Sequence, residues 1–523
     1  MGIIEYPIGQ QDFKALREGN YIYVDKTRYL EYFVKPGKYF FLARPRRFGK
    51  SLFLSTLQYF FEGRRELFRG LYAETMDWDW DEYPVLHLDL NTDRFAGRES
   101  FSYVLNTLFE QWEHKYGLDT ETLRSIPFSQ RFKLIIEAAH RKTGRQVVIL
   151  VDEYDKPLVN NLNNDDAFEN FRVELAGVYS NFKSGAEHIR LVLITGVSRF
   201  SKLSIFSDLN NLNDISFDEP FSDICGITER ELQENFQDGI GRLADKLNRS
   251  HEDVCALLKK NYDGYRFSAE GNDIYNPWSL LNCMDKCRIA NYWNHTGIPT
   301  LVAEVLKMSN VNLEALFNSQ CTLDMLMGFD LRSADPLALL YQTGYLTIKN
   351  YDAYLDLYTL GVPNREVRTG LFDVLVPYYV KTKEVPVETV VRTLTASLIS
   401  GNPDEFMKNL RIYFAGIPYE MNMENENNFQ NCFFILMSLL GFNARPEVHT
   451  SDGRIDLLIT TERFVYIIEL KYDSTASEAL EQICRKNYEL AYTGTGKKIF
   501  RIGVEFSSKT RTIVDWKISS QPS

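Results

Sequence analysis

Through the first half of the chain, short runs of β-branched and aromatic residues alternate with longer amphipathic stretches. KYFFLAR (38–44), VLHLDL (85–90), QVVILVDE (146–153), RLVLITGVS (190–198) and NDISF (213–217) each read as a strand buried on both faces. Segments such as SLFLSTLQYFF and SFSYVLNTLFEQWEHKY, which separate them, carry helical spacing. That alternation predicts a mostly parallel sheet with helices on both sides, binding its ligand at the carboxyl ends of the strands.

Farther along the pattern changes. From about residue 226 to 330 the strands disappear and the chain reads as helical, beginning with GITERELQENF. Residues 337–367 look like a helix followed by a β-hairpin, a winged-helix-like arrangement. GNPDEF (401–406) marks a linker or turn before the last domain. GRIDLLITTERFVYIIELKYD (453–473) reads as two strands joined by a short polar turn. No internal repeat or low-complexity tract interrupts the pattern.

Composition narrows the class. A chain of 523 residues exceeds what one core usually organises, and 44% apolar with 25% charged residues is ordinary globular usage. No apolar run is long enough to span a bilayer, and MGIIEYPIGQQDF does not read as a secretion signal. The seven scattered cysteines fit a reducing compartment, so a cytoplasmic protein without membrane contact is expected. The net charge of −12 argues against a basic coat for duplex binding but leaves room for a local groove.

The strand at 38–44 runs into RPRRFGKS (44–51) and a helix. A helix N-terminus offers unpaired N–H groups and a partial positive charge, which suits phosphate. Lys50 would reach the β- and γ-phosphates from a solvent-facing position, Ser51 would hold Mg²⁺, and Gly49 would let the backbone approach closely. Arg44 stands where the general G-x-x-x-x-G-K-[ST] pattern has its first glycine. At the exit of the strand 146–153, Asp152 can hold Mg²⁺ through water and Glu153 can polarise an attacking water. Thr195 and Ser198, ending the next strand, suit a γ-phosphate or that water.

RPRRFGKSLFLSTL, VDEYDKP, TGVSRFSKLSIFSDLNNLNDIS, YDGYRF and YNPWSLL together resemble the AAA-ATPase-like family over roughly residues 5–300. The resemblance implies ATP binding and hydrolysis, with Arg46, Arg47, Phe48, Gly49, Lys50 and Ser51 as the phosphate loop. Arg199 would be either an arginine finger, acting in its own chain or from a neighbour in a homo-oligomer, or a structural salt bridge. YVDKT (Tyr23–Thr27) matches the family's N-terminal motif without an assigned chemistry.

In the C-terminal pair of strands, Glu469 and Lys471 share one face, and an antiparallel partner could bring Asp456 beside them. Two carboxylates can hold Mg²⁺ or Mn²⁺, and a neighbouring lysine can orient or help deprotonate a water for attack on a phosphodiester. GRIDLLI, YIIELK and ALEQICRKNYELAY resemble the core of a PD-(D/E)XK nuclease over about 415–515. The resemblance implies that Gln482, on the following helix, joins the catalytic set. It also implies a carboxylate from the preceding helix, Glu426 with Glu424 as rival. Tyr488 and Tyr492, expected farther along the Gln482 helix, are either core or strand-facing. Lys497, Lys498 and Arg501 read as a solvated loop or a phosphate-backbone contact. Cys283 and Cys287 lack the further ligands a zinc site needs.

The expected division is an AAA-like P-loop core (1–225), a helical lid (226–330), a winged-helix-like connector (331–400) and a PD-(D/E)XK nuclease-like domain (401–523). The expected function is ATP hydrolysis coupled to metal-dependent cutting of nucleic acid, with DNA as the expected form. Its rivals are a nucleotide-controlled signalling switch whose C-terminal fold binds nucleic acid without cutting, and a scaffold with both sites degenerate.

Overall fold

The apolar runs of the first half assemble, in the computed structural model, into a five-stranded sheet. Its strands are β1 (Lys38–Ala43), β2 (Val85–Asp89), β3 (Val147–Asp152), β4 (Ile189–Gly196) and β5 (Leu212–Asp214). The order is β2-β3-β4-β1-β5, and every pairing is parallel. The structure describes residues 5–35, 38–91, 95, 97–161, 164–199, 212–293, 302–303, 305–306, 309, 311–328, 336–379, 387–416, 426–440, 443–450, 453–507, 509–510 and 512–521. β3 and β4 are buried along their whole length, as continuous apolar runs require in a sheet covered on both faces. β5 departs from the reading: it is three residues long and only partly buried, because it ends the sheet beside β1.

This order places the site. β1 lies inside the sheet, between β4 and β5, so the ends of β1, β4 and β3 stand side by side. Helix Lys50–Phe61 starts directly from the loop after β1.

Four helices follow the sheet: Glu229–Asn235, Gln237–Leu247, His251–Tyr262 and Pro277–Lys286. They share a core of Leu232, Leu243, Leu258, Tyr262 and Leu280. The first opens with a capping box in which Thr228 and Glu231 bond each other's backbone. The stretch is not wholly helical as read. Two-residue strands β6 (Ile227–Thr228) and β7 (Ile274–Tyr275) pair with each other, and β8 (Gln320–Cys321) follows. Runs this short carry no periodicity to read. Helix Pro336–Thr343 then leads to the antiparallel hairpin β9 (Thr347–Asp352) and β10 (Leu357–Gly361), with β8 added beside β10.

The chain forms two units, Met1–Ile298 with Ser319–Val367 and Pro299–Asn318 with Arg368–Ser523. The division falls inside the stretch 331–400. Glu366 accepts hydrogen bonds from the backbone of Tyr292 and Trp293, whereas Phe372 packs on Phe317 and Phe434.

The second unit is built on the sheet β11 (Asn443–Thr450), β12 (Gly453–Thr460), β13 (Phe464–Tyr472), β14 (Lys498–Ser507) and β15 (Thr512–Gln521), in that order. β13 and β14 are parallel and the other neighbours antiparallel. The parallel pair needs a crossover, which helix Ala476–Arg485 supplies. That helix ends at Arg485. Tyr488 and Tyr492 belong to a separate 3₁₀ turn, against a core of Leu458, Ile467 and Ile483. The Gly/Asn/Pro cluster is a turn between helices Val387–Ser400 and Pro403–Ala415, both within the second unit, with Asn402 capping the latter. Among the described residues no helix is long and apolar enough to cross a membrane.

Candidate functional site

The loop after β1 is held by its own arginines. Arg44 is buried, donating to the carbonyls of Ser216 at 2.7 Å and Phe221 at 2.9 Å, and it lies over the Phe267 ring. The left-handed positions are Arg47 (φ 67°) and Gly49 (φ 96°) and do not include Arg44, so a first glycine is not needed here. Phe48 anchors the loop against Tyr265 and Phe267. Lys50 differs from its expected solvent-facing position. It is 4% exposed, and its ammonium donates to the carbonyls of Arg44 at 2.9 Å and Pro45 at 3.1 Å. Nε of Arg46 and one terminal nitrogen of Arg47 are buried without a hydrogen-bond partner. Buried guanidinium donors left unmatched are suited to an anion. Burial, with Arg46 adding, pulls Arg47 down to about 10.

Beside the loop, Asp152 ends β3 with 2% exposure and accepts the Thr195 hydroxyl at 2.6 Å. Thr195 is thereby turned onto Asp152 and not outward. Glu153 takes the left-handed conformation (φ 50°), which swings the chain sharply at the strand exit. A non-glycine residue there stores on the order of 1 kcal/mol or more of strain, and such residues concentrate at functional sites. Burial raises the Glu153 pKa, while the charges of Lys50 and Arg46 oppose that rise, so the carboxylate faces the loop's cations.

Ser198 is likewise turned inward. Its hydroxyl and backbone N–H both meet Asp155 Oδ2, at 2.5 and 2.7 Å. A Cβ on Gly196 would approach the Tyr154 ring to 2.6 Å, so glycine is what lets VDEYD pack on the end of β4. Arg199 is buried, ion-paired with Asp214, and its N–H bonds Gln342 at 3.0 Å. That ion pair is the contact the structural alternative expects.

A cavity opens next to Gly49 and Phe48, walled by Tyr23, Lys26, Ile227 and Leu281 among others. Lys26 pins this wall to helix Glu229–Asn235 through Glu231, at 2.7 Å.

In the second unit, pairing of Leu457 with Ile468 brings Asp456 opposite Glu469, where Asp456 Oδ2 accepts the Leu470 N–H at 2.9 Å. Gln482 links the other two groups. Its amide donates to Glu469 Oε1, and its Oε1 accepts the Lys471 ammonium at 2.8 Å. Lys471 and Glu469 stand 3.7 Å apart. The helix bearing Gln482 comes this close because Gly503, beside Glu469 on β14, has no side chain. A Cβ there would lie 2.3 Å from the Ala476 carbonyl.

Glu469 is 1% exposed, and its Oε2 is buried without a hydrogen-bond partner. Burial, with the Asp456 charge adding, pushes it up to about 7. A buried carboxylate oxygen beside a second carboxylate fits a hard divalent cation, which would match the lone pair and offset the repulsion. Among the described residues no group of three or more His, Cys, Asp or Glu is assembled for a metal. Glu426 opens helix Glu426–Leu439, but its side chain, like the whole of Glu424, lies outside the described residues.

Two family descriptions match the chain, "Predicted AAA-ATPase" over residues 7–206 and "PD-(D/E)XK nuclease superfamily" over residues 424–516. It is also similar to a protein of Azotobacter chroococcum mcd 1 described as "Uncharacterized protein in vnfD 5'region". The two are 34% identical, with 98% of each chain covered. The chain belongs to the AAA-ATPase-like family, joined to a PD-(D/E)XK nuclease superfamily domain.

In this AAA-ATPase-like chain several groups were not singled out by sequence. Asp89 ends β2 in register with Asp152, and burial, with the Asp152 charge adding, raises its pKa. Asp155 and Gly503 shape the sites without facing them, and a polar–apolar pattern gives no sign of either. Arg501 does not lie on a solvated loop: it stands on β14, buried and paired with Glu489 at 2.8 Å. Cys283 is buried in the core shared by the four helices and Cys287 caps its helix.

Proposed function

We propose that the first unit binds and hydrolyses ATP with Mg²⁺, and that the second cuts phosphodiesters of nucleic acid, DNA being the expected form, with Mg²⁺ or Mn²⁺. In the first site Lys50 and the donors of Arg46 and Arg47 bind the phosphates, and Gly49 admits their close approach. Ser51 and Asp152, two oxygen ligands, hold the metal. Glu153 receives the proton of the attacking water. Thr195 acts through Asp152 and Ser198 through Asp155, so both are positioning residues. Arg199 has a structural role.

In the second site Asp456 and Glu469 hold the metal, whose chemistry is to polarise the scissile phosphate and activate a water. Lys471 orients that water, and Gln482 fixes Lys471 and Glu469 relative to each other. The observation that carries the reading is Glu469. Its unmatched carboxylate oxygen lies beside Asp456, where burial and the second carboxylate disfavour its charge by more than the Lys471 ammonium offsets.

The test is incubation of the full chain with linear, circular and single-stranded DNA and with RNA, with and without ATP and with Mg²⁺ or Mn²⁺. Metal-dependent cutting is expected. Binding of nucleic acid and metal without cutting of any substrate would instead support the nucleotide-controlled switch.

A further inference from the structure

We infer that a small cavity at the root of the phosphate loop binds one halide-sized monovalent anion, held by Arg44 and Arg199. The inference does not depend on whether the loop binds ATP. The two arginines line the cavity together with Phe217, Phe267, Tyr341 and Gln342. Arg44 follows β1, Arg199 follows β4 and Phe217 follows β5, while helix Pro336–Thr343 supplies Tyr341 and Gln342.

Two donors are unmatched there. Arg44 is 1% exposed and Arg199 7%, yet Arg44 Nε and one terminal nitrogen of Arg199 are buried without a hydrogen-bond partner. A buried N–H is left unpaired only at a cost, so a group that accepts hydrogen bonds is favoured in the cavity.

Charge decides what kind of acceptor fits. Arg44 donates to the carbonyls of Ala43, Ser216 and Phe221, all neutral. Arg199 is paired with Asp214. Asp218 and Asp223 act on Arg199 and Arg44 only through space. Among the described residues, two guanidinium charges are thus met by one paired carboxylate, and one positive charge is left over. Burial is the largest influence on Arg44 and lowers its pKa, as for a cation short of a counter-charge. A water molecule would accept the N–H groups and leave that charge unbalanced, whereas an anion of charge −1 answers both needs.

Size narrows the anion. The free volume is about 20 Å³, where one water needs roughly 10–15 Å³. That suits chloride or bromide and is too small for phosphate, sulfate or an organic acid. The peptide of Arg44 is also the root of the loop. Its N–H bonds the Gly196 carbonyl at 3.2 Å, and its carbonyl accepts the Lys50 ammonium at 2.9 Å. An anion in the cavity therefore steadies the loop from below, without any nucleotide.

The test is a melting curve of the full chain in which chloride replaces methanesulfonate at constant ionic strength, with bromide as a second halide. The melting temperature is expected to rise by about 1–3 °C and to saturate with either halide. Gln342→Glu, which puts a carboxylate in the wall, is expected to lose the halide effect. Arg199→Gln, which removes the excess charge, serves the same purpose if the first variant fails to fold. A crystal grown in bromide is expected to show an anomalous-scattering peak in the cavity. A cavity that holds only water there overturns the inference, as does a melting temperature indifferent to halide or a halide shift that survives in a folded variant.

Discussion

Thr195 donates its hydroxyl proton to Asp152 Oδ1 at 2.6 Å, tying the end of β4 to the end of β3. Both residues are almost fully buried, so the bond fixes which way the carboxylate points. Thr195→Val keeps the shape and removes the donor. Leaving a buried acceptor short of a partner costs about 1–3 kcal/mol. The expected result is a lower melting temperature and a higher Mg²⁺ concentration for half-maximal ATP hydrolysis. An unchanged Mg²⁺ dependence would separate Asp152 from the metal.

Lys50→Ala is expected to weaken triphosphate binding at least about tenfold, roughly 1.4 kcal/mol. It also removes the cation that holds the carbonyls of Arg44 and Pro45 together, so the variant is expected to melt earlier than wild type. Calorimetric titration and a melting curve on one preparation check both effects. Unaltered ATP binding would remove the phosphate-loop assignment.

Glu153 allows stability and function to be set against each other. Glu153→Gly relieves the left-handed strain and is expected to stabilise the first unit by about 1 kcal/mol while stopping hydrolysis. Glu153→Gln keeps the strain and the hydrogen-bonding shape, and is expected to bind ATP normally and turn it over at least about a hundredfold more slowly. A Gln variant that loses affinity while still hydrolysing bound ATP would make Glu153 a binding or structural group.

The pattern of the chain carried the parallel sheet, the helix–hairpin segment and the pairing of Asp456 with Glu469, because strand and helix periods are local signals. It did not carry partnership. Lys50, Thr195, Ser198 and Arg501 are polar residues in places that suit chemistry, and their actual partners are Arg44, Asp152, Asp155 and Glu489. Each inward turn depends on residues distant in sequence or on a backbone angle. Gly503 illustrates the same limit, since an unremarkable strand glycine is what allows Gln482 to reach Glu469.

The raised Glu469 pKa fixes the sign of a pH effect. Between the ordinary carboxylate value and about 7 the folded chain holds a proton that the unfolded chain has released. Stability from this group is therefore present at low pH and lost as pH rises to about 7, a change on the order of 3 kcal/mol. Mg²⁺ or Mn²⁺ favours the ionised form, so the metal-induced rise in melting temperature is expected to be larger at pH 8 than at pH 5.5. Glu469→Gln is expected to abolish both dependences. Metal stabilisation that is equal at the two pH values, or that survives in the variant, places the ion elsewhere.

The central claim is that the second unit is a metal-dependent cutter built on Asp456, Glu469 and Lys471. It is tested most directly by measuring Mn²⁺ binding and cleavage of a labelled DNA in the same preparations of wild type, Asp456→Asn and Lys471→Ala. A neutral amide is a poor ligand for a hard ion, so Asp456→Asn should lose both metal affinity and cutting. Lys471→Ala should keep the metal and cut at least about a hundredfold more slowly, since its role is on the water. Basal ATP hydrolysis should be unchanged in both variants. Metal-dependent cutting at the wild-type rate by both variants would contradict the account.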